Sequence, residues 1–116
     1  LQKGSDGNLW VMLHSGSRNF GLQIAKIYHE KAKENCKKYY SDIPTFDLSF
    51  LPEGTKEYNE YIQAINYVLN FAKENRFMMI NKIKEIIFNE SKNVVFDEII
   101  NIHHNYARME NHFGHY

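Results

Sequence analysis

Between about residues 55 and 89, apolar side chains recur at Tyr58, Tyr61, Ile62, Ile65, Val68, Leu69, Ala72, Met79, Ile83 and Ile86. Steps of three and four residues put them on one stripe of a 3.6-residue period, and the spacing predicts a single long helix. A shorter run with the same period, Phe20, Ile24, Ile27, Tyr28 and Ala32, predicts a first helix. It should end in the lysine-rich stretch around Lys37 and Lys38, where positive charge suits the carbonyl end of the helix dipole. Elsewhere the pattern changes. Leu9-Trp10-Val11-Met12-Leu13 is a continuous apolar run of strand length behind the turn signal Gly4-Ser5-Asp6-Gly7-Asn8, and it predicts a strand buried on both faces and ending at His14. Residues 93–102 predict a turn and then a second short apolar strand, Ile99-Ile100-Asn101-Ile102, which delivers His103 and His104 at its end. Residues 41–54 hold both prolines and keep no period, as expected of an irregular connection that packs Phe46, Leu48, Phe50 and Leu51 onto the core. The expected fold class is mixed α/β, predominantly helical, with short buried strands whose sheets are completed by sequence outside this chain.

Composition narrows this picture. A chain of 116 residues with 43% hydrophobic content is long enough for one domain and too short to suggest two. Lys+Arg 14 balances Asp+Glu 14, so the chain lacks the broad basic field of a non-specific nucleic-acid binder, and any RNA contact must rest on a local site. The single cysteine, Cys36, cannot form an internal disulfide; it agrees with a reducing compartment such as the cytoplasm and reads as a half-buried helix residue. No apolar run approaches the roughly 20 residues that cross a bilayer. Leu1 at the start and a His-rich run before Tyr116 suggest that both ends are cut from something larger.

Two clusters could do chemistry. His14 at a strand end, followed by Ser15-Gly16-Ser17-Arg18, pairs a possible metal ligand with an anion cradle: the glycine would let the backbone turn closely and offer N–H groups near the helix start, and Arg18 would add a bidentate phosphate partner. The plainer alternative is a satisfied core histidine, an N-cap at Ser17 and a solvated arginine. The second cluster is His103-His104-Asn105, followed by Tyr106, Glu110, His112 and His115. Two imidazoles from separate strands begin a divalent-metal site, and an adjacent Asn can bond a phosphate. Neighbouring strand side chains point to opposite faces, so only one of His103 and His104 is expected to be a ligand. His112 and His115 read as surface histidines. Tyr28, Tyr39, Tyr40, Tyr58, Tyr61 and Tyr67, most of them at helical spacing, read as core or core-edge residues rather than base-stacking platforms. Phosphate-loop, nucleophile-elbow, HExxH and GxGxxG patterns are absent, which takes the main support from hydrolase and nucleotide-kinase readings.

In order along the chain stand Leu13-His14-Ser15-Gly16-Ser17-Arg18, Asp47-Leu48-Ser49-Phe50-Leu51-Pro52, Phe71-Ala72-Lys73-Glu74-Asn75-Arg76-Phe77-Met78-Met79, and His103-His104-Asn105-Tyr106 with Glu110, His112, Phe113 and Gly114. These four motifs together resemble the middle of RtcB RNA ligases, and the likeness spans essentially the whole chain. The resemblance implies that residues 1–116 are one partial domain, the central portion of the catalytic domain, with N- and C-terminal parts missing. It implies a GTP- and Mn2+-dependent ligase that joins RNA 2′,3′-cyclic phosphate or 3′-phosphate ends to 5′-hydroxyl ends in tRNA splicing and RNA repair. GMP passes from GTP to a histidine and then to the RNA 3′-phosphate, which the 5′-hydroxyl attacks with release of GMP. By the same likeness, His14 and His104 match ligands of one of two manganese ions, His104 and Asn105 match the pair lining the guanylate site, and Arg18 matches an arginine expected to hold a phosphate of the RNA or nucleotide. Asp47, Asn75 and Arg76 would be scaffold or supporting positions. The guanylated histidine would lie downstream, and the family's Asp, Cys and Asn-His ligands upstream, with Cys36 wrongly placed to be that cysteine, so this stretch should lack catalysis alone. Asn19 stands where many members have glycine, a substitution asparagine's backbone tolerance accommodates. RNA, GTP and an activating protein are the implied partners, with no membrane. The rival expectations are a truncated or degenerate paralogue that only binds metal or nucleotide, and a metal-dependent phosphoesterase.

Overall fold

The computed structural model describes residues 1–39, 42–103, 105–107 and 110–114. What was expected of Tyr40, His104 and His115 lies outside the described residues. Two helices dominate, α1 (Phe20–Lys38) and α2 (Lys56–Glu90). The ends follow from local chemistry. Thr55 caps α2, its hydroxyl accepting from the Tyr58 N–H at 3.2 Å and donating to the Pro52 carbonyl at 2.7 Å, while Lys37 and Lys38 occupy the last turn of α1 as the dipole favours. The helices run antiparallel. Phe20 at the start of α1 meets Tyr67 and Phe71 edge-on, with centroids 6.0 Å apart in each pair, whereas Tyr28 and Lys31 further along meet Tyr61 and Glu60.

Where the helices approach, the side chains are small. Among the described residues the buried apolar ones are Ala32 and Cys36 on α1 and Val68 and Ala72 on α2, each pair one turn apart on its helix. A Cβ on Gly21 would lie 3.1 Å from Val68 Cγ1 and 2.7 Å from Ser17 Oγ, so glycine is what lets α1 start this close to α2. Cys36 is 2% exposed rather than half-buried, because it faces this seam, with its sulfur 3.8 Å from the Phe50 carbonyl.

The strands depart from expectation. The turn signal at residues 4–8 does close a hairpin: Gly7 has a positive φ of 82°, the Gly4 N–H donates to the Asn8 carbonyl at 2.8 Å, and the Trp10 indole N–H donates to the Asp6 carboxylate at 3.1 Å. The Asn8 N–H, bonded to the same carboxylate, holds Asp6 below the usual carboxylate range. Its strands are only β1 (Gln2–Lys3) and β2 (Leu9–Trp10), antiparallel with Gln2 opposite Trp10, and β2 stops four residues short of His14. Leu9 and Met12 are 67% and 73% exposed, so this run is not a buried strand. Ile99, Ile100, Asn101 and Ile102 form no strand either, and the three isoleucines are exposed. Only Leu9 and Trp10 of the first run find a partner, the two-residue β1; residues 11–13 and 99–102 have no neighbouring strand among the described residues, and strand geometry without a ladder leaves N–H and C=O groups to solvent. The connection between the helices holds a short 3-10 turn at Phe46–Leu48, and Phe46, Leu48 and Phe50 stay about half or more exposed instead of packing into a core.

Candidate functional site

The His14 to Arg18 stretch crosses from the hairpin to α1 without regular structure. Its turn is made by Arg18 and Asn19, both left-handed, with φ of 53° and 74°. Asparagine is among the residues that adopt this conformation most readily, and an arginine there is uncommon. Gly16, by contrast, has no positive φ and open space where a Cβ would go, so the expected glycine turn is not where the chain bends. The expected cradle of free N–H groups is also altered. Ser17 Oγ accepts from the Gly21 N–H at 2.8 Å, the Ser17 carbonyl accepts from the Phe20 N–H at 3.2 Å, and the Asn19 carbonyl takes the Gln23 N–H. Two of the first-turn donors, Phe20 and Gly21, are thus spent inside the chain, which leaves the exposed Arg18 side chain as the main group an anion could meet here. His14 is exposed.

Behind this loop stands the middle of α2. The Asn75 side-chain amide donates to Ser15 Oγ and to the Gly16 carbonyl, each at 3.3 Å. Arg76, the next residue, spreads its guanidinium over three acceptors. Its Nε donates to Asn101 Oδ1 at 2.7 Å, Nη1 to the Ser15 carbonyl at 3.2 Å and Nη2 to His103 Nδ1 at 3.3 Å. Asn101 is held at its other end by donating to the Lys73 carbonyl at 3.2 Å. One guanidinium thus joins the chain neighbour of His14 to the chain neighbour of His104.

A guanidinium only donates, so His103 must accept at Nδ1 and present a neutral ring. Burial, followed by the charges of Arg76 and Lys73, holds the imidazole below its ordinary value, in keeping with that role. Its ring also lies tilted against Tyr106, 6.3 Å between centroids. Beside it, a cavity of about 400 Å³ is lined by Asn66, Leu69, Asn70, Asn101, Ile102, His103, Tyr106 and Ala107. Asn105 is exposed on a bend next to this wall. His112 is exposed and bonds Glu110 at 3.2 Å, as a surface histidine would. Asp47 sits in the 3-10 turn of the connection, its N–H bonded to Thr45 Oγ1.

Among the described residues no three His, Cys, Asp or Glu side chains gather into a metal-binding group. The donor set fits a metal only in part: the exposed His14 imidazole is a competent ligand, and the remaining donors would come from His104 and from outside this chain. Among the described residues no helix is long and apolar enough to cross a membrane.

Sequence reasoning marked Asn75 and Arg76 as supporting positions without saying what they support. It missed Asn101, whose signal is an amide interrupting the apolar run Ile99-Ile100-Asn101-Ile102.

A sequence model of the RtcB family, described as tRNA-splicing ligase RtcB, matches residues 2–116. The chain is 32% identical over 112 residues to the RNA-splicing ligase RtcB of Escherichia coli K12, covering 91% of this chain and 28% of that protein. It is 29% identical over 110 residues to the tRNA-splicing ligase RtcB of Pyrobaculum aerophilum, covering 92% of this chain and 23% of that protein. The Thermococcus kodakarensis tRNA-splicing ligase RtcB is 28% identical over 111 residues, again 92% of this chain and 23% of the relative. The chain therefore spans about a quarter of the length of these relatives. No solved structure matches. Because the family model covers all but the first residue, and so includes both segments that meet on Arg76, this chain belongs to the RtcB family.

Proposed function

We propose that this chain is the central portion of the catalytic domain of an RNA ligase that uses GTP and Mn2+ to join RNA 2′,3′-cyclic phosphate or 3′-phosphate ends to 5′-hydroxyl ends, in tRNA splicing or RNA repair. The observation that supports this reading best is the shared guanidinium, since Arg76 bonds both Ser15 and His103, the neighbours of the two proposed metal ligands. In this reading His14 and His104 hold metal, His104 and Asn105 line the guanylate site, and Arg18 binds a phosphate of the RNA or nucleotide. When bound, the metal would neutralise charge on reacting phosphate oxygens. The chain's own residues position and neutralise. Arg18 stands exposed at the left-handed turn, where its fork can meet two phosphate oxygens, and Asn105 offers an amide from its exposed bend. The residue that accepts guanylate and the other metal donors belong to the rest of the protein, as does any activating partner.

The test is joining of a 2′,3′-cyclic phosphate RNA end to a 5′-hydroxyl end by the full-length protein with GTP and Mn2+. Joining by the wild type, its loss on chelation and return on re-addition of Mn2+, and its loss in His14→Ala and His104→Ala are the expected results. A folded, metal-loaded protein that releases phosphate without joining would point instead to a phosphoesterase. One that binds metal or nucleotide and does neither would point to a degenerate paralogue.

A further inference from the structure

We infer that Arg76 is a positioning residue of the proposed metal site, holding the His14 loop and the segment that leads to His104 and Asn105 in one fixed relation; this rests on the reading of His14 and His104 as metal ligands. The argument starts from what these two segments lack. Residues 11–16 and residues 94–103 have no helix or strand of their own, so no backbone ladder sets their distance from each other. α2 does have such a ladder, and Asn75 and Arg76 reach outward from its middle to both segments at once.

The chemistry selects arginine at this position. Its acceptors, the Ser15 carbonyl, Asn101 Oδ1 and His103 Nδ1, are each met by a different nitrogen of the guanidinium, and the group is half-buried. A lysine ammonium is a point charge on a flexible stem and has no rigid fork to match three acceptors on separate segments. Asn101 is orientated toward Arg76 by a second bond, its amide N–H donating to the Lys73 carbonyl one turn earlier on α2. His103 is a neutral acceptor in this arrangement and is occupied by Arg76, which gives it a use other than metal binding. Removing a group bonded directly to a metal ligand typically changes metal affinity or activity by about 10–100-fold; Arg76 acts one residue further out, on Ser15 and His103, so its effect belongs at the low end of that range.

The experiment uses the full-length protein with Arg76→Ala, Arg76→Lys, Asn101→Ala and His14→Ala, each checked for folding by circular dichroism. Metal binding is read by the visible spectrum of added Co2+ and by calorimetric titration with Mn2+. Wild type should bind, and His14→Ala should lose the Co2+ signature. Arg76→Ala and Arg76→Lys should fold and bind Mn2+ about 10-fold more weakly, the low end of the range for groups that support metal ligands, and Asn101→Ala should shift affinity in the same direction by less. Millimolar guanidinium should restore part of the affinity of Arg76→Ala, while the same concentration of sodium should not. Wild-type affinity in Arg76→Lys and Asn101→Ala overturns the inference, including the case where Arg76→Ala does not fold. Equal metal binding by wild type and His14→Ala, or none by either, overturns the ligand reading beneath it, a result distinct from a selective failure at Arg76.

Discussion

At the scale of single residues, the sharpest feature is a pair of side-chain-bearing residues, Arg18 and Asn19, in left-handed backbone next to each other. For asparagine the conformation is cheap; for arginine it costs about 1–3 kcal/mol and is found most often where function retains it. Arg18→Gly is therefore expected to keep stability within about 1 kcal/mol of wild type in urea unfolding, because relief at the turn is offset by the freer unfolded chain. Arg18→Val should lose about 1–2 kcal/mol. If Arg18 holds phosphate, both variants should bind RNA 3′-phosphate ends more weakly, and a loss confined to the valine variant would mean that the turn matters and the guanidinium does not. The motif His14 to Arg18 was legible as a cluster, and asparagine's tolerance of the turn at position 19 was legible too. The direction of the helix-start N–H groups was not. Ser17 consumes the Gly21 N–H with its hydroxyl, a choice that depends on the left-handed backbone angles of Arg18 and Asn19 between them.

At the scale of elements, the two helices were readable from period and ends, and α2 matches its predicted span closely, Lys56–Glu90 against about 55–89. Their packing depends on Gly21. Adding a methyl there meets Val68 and Ser17, so Gly21→Ala should destabilise by about 1–3 kcal/mol in spite of its better helix propensity. Val68→Ala in the same chain should return part of that loss, and independent, additive effects in a double-mutant cycle would contradict the contact. The helices are also linked by Lys31 and Glu60 at 2.9 Å. The hydrogen bond from Lys31 lowers the Glu60 carboxyl from its ordinary value and raises the Lys31 ammonium. A lowered carboxyl stabilises the fold above its unfolded value of 4.5 and loses that contribution as pH falls through the folded value; the raised ammonium contributes below 10.5 and loses it as pH rises beyond. Glu60→Gln should accordingly flatten part of the acid limb of the stability profile, with a small effect because both partners remain partly open to solvent. An unchanged acid limb would show the pair to be idle. Of the two predicted strands only Leu9–Trp10 forms, against β1, and the rest did not for a physical reason: an apolar run is only a candidate strand until another strand supplies its ladder.

At the scale of the whole molecule, the radius of gyration is 20.0 Å, against about 13 Å for a compact domain of this length. α2, about 52 Å long at 1.5 Å per residue, sets the long dimension of 64 Å. No large side chain is fully buried among the described residues, and Leu9, Met12, Met78, Val95, Ile100 and Ile102 are all more than half exposed. Such a chain offers apolar surface that a stable monomer would cover. Expressed alone it should self-associate and bind a hydrophobic dye; a compact, dye-free monomer by light scattering and chromatography would contradict this. By itself the sequence determined the two helices, the hairpin turn and the family motifs, since each depends on periods and turn chemistry within a few residues. Tertiary structure alone decided that Arg76 and Asn101 tie the His14 loop to His103, because residues 15, 76, 101 and 103 meet only once α2 has placed a guanidinium between segments that no local pattern relates.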